Sequence, residues 1–237
     1  MTSSKPGRAI IIPAAGSGTR FQSALPKQFH TLGSDPILVH TLRTACAVSD
    51  VGTISIGVQG DIDQMYLQLR GWGITDARIQ VYEGAEERQL TVLKGLQHWS
   101  MNNVDADGVV LVHDAVRPLA TVDLWERVAI AAEQHGAAVP FLPMADTVKM
   151  VSDGVVERTL DRSRLVRVQT PQGFRISVLR SSYEHAVREG LSLTDCSSAV
   201  ELSGHTVHLV PGEEVNFKIT TPYDLAIAEI IVANFSR

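Results

Sequence analysis

Short, continuously apolar, β-branched runs alternate along this chain with segments that repeat at the helical period, and that alternation leaves few folds open. Arg8-Ala9-Ile10-Ile11-Ile12-Pro13 is the first such run, and Val109-Val110-Leu111-Val112 is the clearest later one. A strand that is apolar at every position is buried on both faces, so helices have to cover both sides of its sheet. The segments between the runs read accordingly. Pro36 to Val48 predicts a helix with Asp35 as N-cap and Pro36 at the first helical position. Thr53–Val58 is a strand, Ile62–Leu69 a helix with Asp61 at its start, and Arg78–Tyr82 a strand. Val92, Leu93, Leu96 and Trp99 mark a core-facing helix, as do Leu124, Val128, Ala131 and Ala132 after Val112; Ala137–Leu142 is another strand. Strand–helix–strand order predicts an α/β domain with a mainly parallel sheet and helices on both faces.

The alternation breaks between Pro143 and Thr170. Thr147–Val151 and Val155–Leu160 flank Ser152-Asp153-Gly154 and predict a hairpin arm at about 143–169. Its apolar side has to be buried, either by folding back on its own sheet or by pairing with a second subunit; residue pattern alone leaves both open. Helices follow at Ser177–Glu189 and Asp195–Ser203, and strands at Thr206–Val210 and Asn216–Ile219. The last helix opens at Thr221-Pro222-Tyr223-Asp224, with Thr221 as cap, Pro222 at the first position and Asp224 in the first turn. A single domain over residues 1–237 accommodates all of this.

Charge narrows the function. The net charge of −5 gives no global basic field, so nucleic-acid binding is not expected, and an anionic ligand needs a local cluster of Lys and Arg. Cys46 and Cys196 lie far apart in no metal spacing, which predicts neither a disulfide framework nor a zinc site and fits a reducing cytoplasm. No apolar run is long enough for a bilayer, and no membrane partner is expected.

The segment after the first strand holds the chemistry. Pro13-Ala14-Ala15-Gly16-Ser17-Gly18-Thr19-Arg20, then Pro26-Lys27-Gln28, leaves the end of the strand where ligands bind in open α/β sheets. Gly16 and Gly18 let backbone N–H groups wrap an anion, and Ala14 and Ala15 leave room for a nucleotide. Arg20 and Lys27 add positive charge. A Walker A loop needs Lys after its last Gly, where Thr19 stands; a dinucleotide fingerprint needs Gly or Ala where Phe21 stands. Other acidic and histidine patterns are weaker. Asp105-Ala106-Asp107 has a metal-motif spacing but precedes its strand, Asp61-Ile62-Asp63 looks like a helix cap, and His205 and His208 face opposite sides if both lie on a strand. Cys46 reads as core.

The Pro-Ala-Ala-Gly-x-Gly-x-Arg and Pro-Lys-Gln pattern resembles the 2-C-methyl-D-erythritol 4-phosphate cytidylyltransferases of the non-mevalonate isoprenoid pathway. The resemblance continues through His113-Asp114-Ala115-Val116-Arg117-Pro118, Asp146-Thr147-Val148-Lys149, Asp161-Arg162, Thr170-Pro171-Gln172, Leu193-Thr194-Asp195 and Asn216-Phe217-Lys218-Ile219-Thr220. It implies a Rossmann-like nucleotide-diphospho-sugar transferase fold, and transfer of CMP from CTP to the sugar-alcohol phosphate with release of pyrophosphate. It also implies Arg20 and Lys27 as catalytic cations, Thr147, Arg162 and Lys218 as acceptor-binding residues, and Asp114 at the substrates. Nucleotide binding would fall to Pro13, Ala14, Ala15, Gly16, Ser17, Gly18, Gly84, Arg88, Thr91, Asp114, Ala115 and Arg117. Mg²⁺ is implied, held mainly by CTP with Asp114 as a possible ligand; the alternative role for Asp114 is to bond Arg117 and brace its loop. If the arm crosses to a second subunit, the implied assembly is a homodimer with shared sites. Ala85, Glu86 and Thr91 stand where the family favours Gly, Asp and Ser, and Cys196 where it more often has an acid. A pentitol-phosphate cytidylyltransferase, such as one for ribitol 5-phosphate, and a non-catalytic nucleotide-binding regulator are the rival readings.

Overall fold

Ile10 and Ile12 point to one side of the first strand and Ala9 and Ile11 to the other, and each pair enters a different core. In the computed structural model, which describes residues 7–16, 21, 23, 25–101 and 107–235, that strand is β1 (Arg8–Pro13). It pairs in parallel with β4 (Val51–Val58) on one side and β6 (Val109–Val112) on the other. Next to β4, again parallel, lies β5 (Ile79–Glu83). The chain therefore builds one flank of β1 first and then switches to the other, and such a switch opens a crevice at the carboxyl ends of the strands.

Helices α1 (Ile37–Ala47), α2 (Ile62–Gly71) and α4 (Val122–His135) supply Leu38, Leu42, Met65, Leu69, Leu124, Trp125 and Val128 to the core on the Ile10 face. On the Ile11 face lie α3 (Arg88–Met101), α5 (Ile176–Arg188) and α6 (Cys196–Leu202), with Val92, Leu96, Leu179, Tyr183 and Val200. α7 (Pro222–Phe235) closes a third, smaller cluster through Ala228 against Leu32, Ile37 and Ile219. Among the described residues, no helix is long and apolar enough to cross a membrane.

The sheet is mixed rather than wholly parallel. Beyond β6 the order is β11 (Gln172–Arg175), then β7 (Ala137–Pro143), then β10 (Val166–Val168). β11 runs antiparallel to both β6 and β7, and β10 antiparallel to β7, while β12 (His208–Pro211) pairs with β7 in parallel. Between β7 and β10, β8 (Lys149–Ser152) and β9 (Val155–Thr159) pair with each other and with no other strand among the described residues, across a turn in which Asp153 and Gly154 take φ values of 49° and 78°. Every residue of both strands is exposed, so the hairpin does not fold back on this chain's sheet.

Three local expectations change. Asp35 does not cap α1: Pro36 occupies the cap position, and Asp35 sits in a two-residue strand β3 (Asp35–Pro36) paired with β2 (Thr31–Leu32). The Asp35 carboxylate is instead held by Arg43, eight residues on in α1, at 2.7 and 3.1 Å. Asn216–Ile219 is irregular and not a strand, because its polar groups are taken up singly. Ile219 N–H donates to the Val116 carbonyl, and the Asn216 carbonyl accepts from Arg117 and Gln169. His205 precedes β12, so the two histidines do not share a strand, and His208 stacks on His135 at 4.0 Å. The expected caps elsewhere form: Asp61 accepts from the Asp63 and Gln64 amides, and Thr221 and Asp224 bond reciprocally at the start of α7. Cys46 is half-buried against the Ile10-side core. Of the Asp105-Ala106-Asp107 run, only Asp107 lies within the described residues.

Candidate active site

The loops that leave β1, β5 and β6 meet at the crevice. The Ala14 amide continues the ladder by donating to the Gly57 carbonyl at 2.7 Å, which fixes where the glycine-rich loop departs. The buried Gln28 amide donates to the Ala14 carbonyl at 2.5 Å, so the Pro26-Lys27-Gln28 step is tied to that loop and Lys27 borders the cleft. Opposite, the Gly84 amide donates to the Val58 carbonyl at 2.6 Å. A Cβ on Gly84 would come within 2.5 Å of the Ala15 Cβ, so only glycine lets the β1 and β5 loops approach this closely. Thr91 ties its own loop together: its Oγ1 accepts from the Ala85 amide at 2.9 Å, and its carbonyl accepts from the Tyr82 hydroxyl at 2.9 Å.

Asp114 lies two residues past the end of β6 and is buried. Its Oδ1 accepts from Arg88 Nε at 2.9 Å; its Oδ2 meets Lys218 Nζ at 3.0 Å and Arg117 Nε at 3.4 Å. Burial alone would raise its pKa, but Arg88, Lys218 and Arg117 outweigh it and hold the carboxyl well below the usual range. Arg117 also donates to the Asn216 carbonyl at 2.8 Å. Behind Arg88, Nη1 contacts Cys196 Sγ at 3.3 Å, and the Tyr183 hydroxyl contacts the same sulfur at 3.2 Å. Burial pushes the Cys196 thiol up, so it stands as a neutral acceptor, and among the described residues the buried Arg88 Nη2 has no hydrogen-bond partner. His113, wholly buried, is pushed down to about 4 by burial, so its ring is neutral at physiological pH.

The resulting cleft is lined by the β1 loop (Pro13 to Gly16), Lys27, Gln28, Arg88, Thr91, Asp114, Ala115, Val116 and Lys218. Arg88, Arg117 and Lys218 surround one carboxylate, and Lys27 borders the same cleft, in a chain whose net charge is −5; that is the local cluster an anionic ligand requires. Asp114 is the only acid among these lining residues and both of its oxygens are engaged. No cluster of three or more metal-ligating side chains occurs among the described residues. This donor set does not fit a protein-built metal cage.

Of the residues singled out in the sequence, Pro13, Ala14, Ala15, Gly16, Lys27, Arg88, Thr91, Asp114, Ala115 and Lys218 converge here, with Gly84 and Arg117 directly behind. Ser17, Gly18 and Arg20 lie outside the described residues. Thr147 and Arg162 are exposed on the arm and do not line this cleft. Arg162 forms no bridge to Glu157 or Asp161 here and donates instead to the Ala145 carbonyl. Sequence reading singled out Gln28 within Pro26-Lys27-Gln28 and noted Cys196, but not their partners: Gln28 ties to the Ala14 carbonyl and Cys196 to Tyr183.

The model of the 2-C-methyl-D-erythritol 4-phosphate cytidylyltransferase family matches residues 8–234. Proteins of that name from Acidobacterium capsulatum and Syntrophus aciditrophicus are each 39% identical, over 92% of this chain and 94% of the first relative, and 95% of both chains for the second. Among solved structures, 4-diphosphocytidyl-2C-methyl-D-erythritol synthase from Anaerococcus prevotii superposes with a TM-score of 0.83 at 28% identity, covering 98% of this chain and 100% of that one. The Thermus thermophilus cytidylyltransferase gives 0.74 at 30% identity, covering 94% and 98%. With its glycine-rich loop, its Pro-Lys-Gln step and its Asp114 cluster brought to one crevice, this chain belongs to the 2-C-methyl-D-erythritol 4-phosphate cytidylyltransferase family.

Proposed function

We propose that the protein transfers CMP from CTP to 2-C-methyl-D-erythritol 4-phosphate, forming 4-diphosphocytidyl-2-C-methyl-D-erythritol and pyrophosphate. The observation that carries this reading is the surplus of cations around Asp114, beside the β1 loop, in a family member matched over residues 8–234. A phosphate oxygen of the acceptor attacks the α-phosphorus of CTP, the new P–O bond forms, and the bond to the β-phosphate oxygen breaks. That nucleophile has no proton that must be removed, so in-line positioning and charge neutralisation are what the chain supplies. We assign Lys27 and, from its place in the motif, Arg20 to the charge that builds at phosphorus. The β1 loop residues, Gly84, Arg88, Thr91, Ala115 and Arg117 bind or shape the nucleotide site, and Lys218 and Asp114 sit where the acceptor phosphate meets it. A divalent ion such as Mg²⁺ is proposed to arrive on the triphosphate, as part of the substrate.

The arm supports a second proposal, a homodimer built through residues 143–169 of one cytidylyltransferase domain. Val151, Val155 and Val156 are each more than half exposed, so a second copy of this chain would bury what its own core leaves bare. Thr147 and Arg162 would then serve the partner's cleft. A cytoplasmic location completes the reading.

Pyrophosphate release with CTP, Mg²⁺ and either methylerythritol 4-phosphate or ribitol 5-phosphate tests it. We expect turnover with the first acceptor, falling roughly 10²–10³-fold in Lys27→Ala and in Arg20→Ala. Turnover only with ribitol phosphate would move the protein to a pentitol pathway. CTP binding without release would leave a nucleotide-binding regulator.

A further inference from the structure

His113 belongs to the segment that carries Asp114, yet it does not line the cleft and takes no part in the chemistry above. Its ring is fully buried and packs on Trp125 of α4, with centroids 4.5 Å apart. Nε2 lies 3.0 Å from the Arg117 carbonyl. A carbonyl only accepts, so Nε2 carries the proton. Nδ1 of the neutral ring is then an acceptor, and the Thr170 hydroxyl, 3.1 Å away, donates to it. That direction leaves the Thr170 oxygen free to accept, and the Asp114 amide donates to it at 3.1 Å. With the ring neutral, each link fixes the next.

The same network reaches the third segment of the site. Asn216 Nδ2 donates to the Thr170 carbonyl at 2.8 Å, and Arg117 Nη1 to the Asn216 carbonyl at 2.8 Å, two residues before Lys218. Three stretches distant in sequence therefore meet around one imidazole. They carry Asp114 and Arg117, Thr170, and Asn216 with Lys218.

We propose that His113 is a positioning residue of the nucleotide site, an Nε2-protonated imidazole whose two nitrogens fix the Asp114–Arg117 turn against Thr170. This rests on the reading that Asp114 and its cations hold the substrates. A hydrophobic side chain of similar size would still pack on Trp125 but would leave the Arg117 carbonyl and the Thr170 hydroxyl without their partner. Glutamine can present an N–H to the Arg117 carbonyl without reaching Thr170, so it restores one link of two.

The test is kinetic and spectroscopic. His113→Leu should lower kcat/KM for CTP by up to about a hundredfold, the scale of a displaced positioning group, and His113→Gln should recover part of that. In a Thr170→Val background the His113→Leu loss should shrink to less than about threefold, because the two residues act as one unit. Full additivity, or loss of thermal stability with unchanged kcat/KM in the folded fraction, would overturn the proposal. Nitrogen-15 NMR of the unmutated protein gives a readout that needs no variant to fold: at neutral pH the His113 ring should show only the Nε2–H form. The Nδ1–H form or a charged ring would overturn it equally. Wild-type protein that neither binds CTP nor releases pyrophosphate would instead defeat the functional reading itself.

Discussion

Cys196 shows how one residue tunes a charged cluster without being charged. Its sulfur accepts from both Arg88 and Tyr183, so among the described residues Asp114 is the one carboxylate that pairs with Arg88. Cys196→Val conserves most of the volume and removes that acceptor from two buried donors. We expect a loss of about 1–3 kcal/mol, the cost of leaving such groups unpaired, read as a lower urea midpoint. His113 adds a pH dependence. Its folded pKa is near 4, below the ordinary histidine value, so the unfolded chain binds the extra proton. Its contribution is complete above about pH 6.5 and lost as pH falls towards 4. Urea midpoints measured at pH 7 and pH 5 should therefore fall more steeply in the wild type than in His113→Gln. At this scale the sequence marked Asp114, Lys27 and Lys218 through motif, but it could not reveal that three cations share one carboxylate. That fact depends on loops from β6, α3 and the segment after β12 folding to one point.

At the scale of elements, burial decided what was legible. β6 reads correctly from Val109-Val110-Leu111-Val112 because it is covered on both faces. β11 was invisible, since Gln172-Gly173-Phe174-Arg175 has neither alternation nor an apolar run, and it is a strand only because β6 and β7 leave a gap that it fills. Asn216–Ile219 looked like a strand and is not, since its backbone groups are taken up singly by Val116, Arg117 and Gln169 rather than by a neighbouring strand. The opposite end of β1 from the cleft is held by Arg8, which is 6% exposed and paired with Glu126 at 2.5 Å and Glu133 at 2.7 Å on α4. Arg8→Ala leaves two carboxylates facing each other and should cost about 3 kcal/mol of stability while leaving kcat unchanged. Gly84→Ala should do the reverse. Its Cβ drives the β5 loop off Ala15, so CTP affinity should fall at least tenfold by calorimetry, about 1.4 kcal/mol.

For the whole molecule, the exposed β8–β9 hairpin is where the proposed dimer can be tested. Val155→Asp with Val156→Asp should convert a dimer to a monomer in sedimentation equilibrium and reduce turnover, if Thr147 and Arg162 act across the interface. A dimer that survives both substitutions would remove the arm from the assembly. The cleft has a consequence of a different kind. Lys27, Arg88 and Lys218 offer their charge to any polyphosphate, and nothing in that arrangement distinguishes the triphosphate that enters from the pyrophosphate that leaves. The site is as well furnished for the reverse reaction as for the forward one. Direction is then set outside the protein, by whatever hydrolyses pyrophosphate around it, and accumulated product should act as a competitor of CTP.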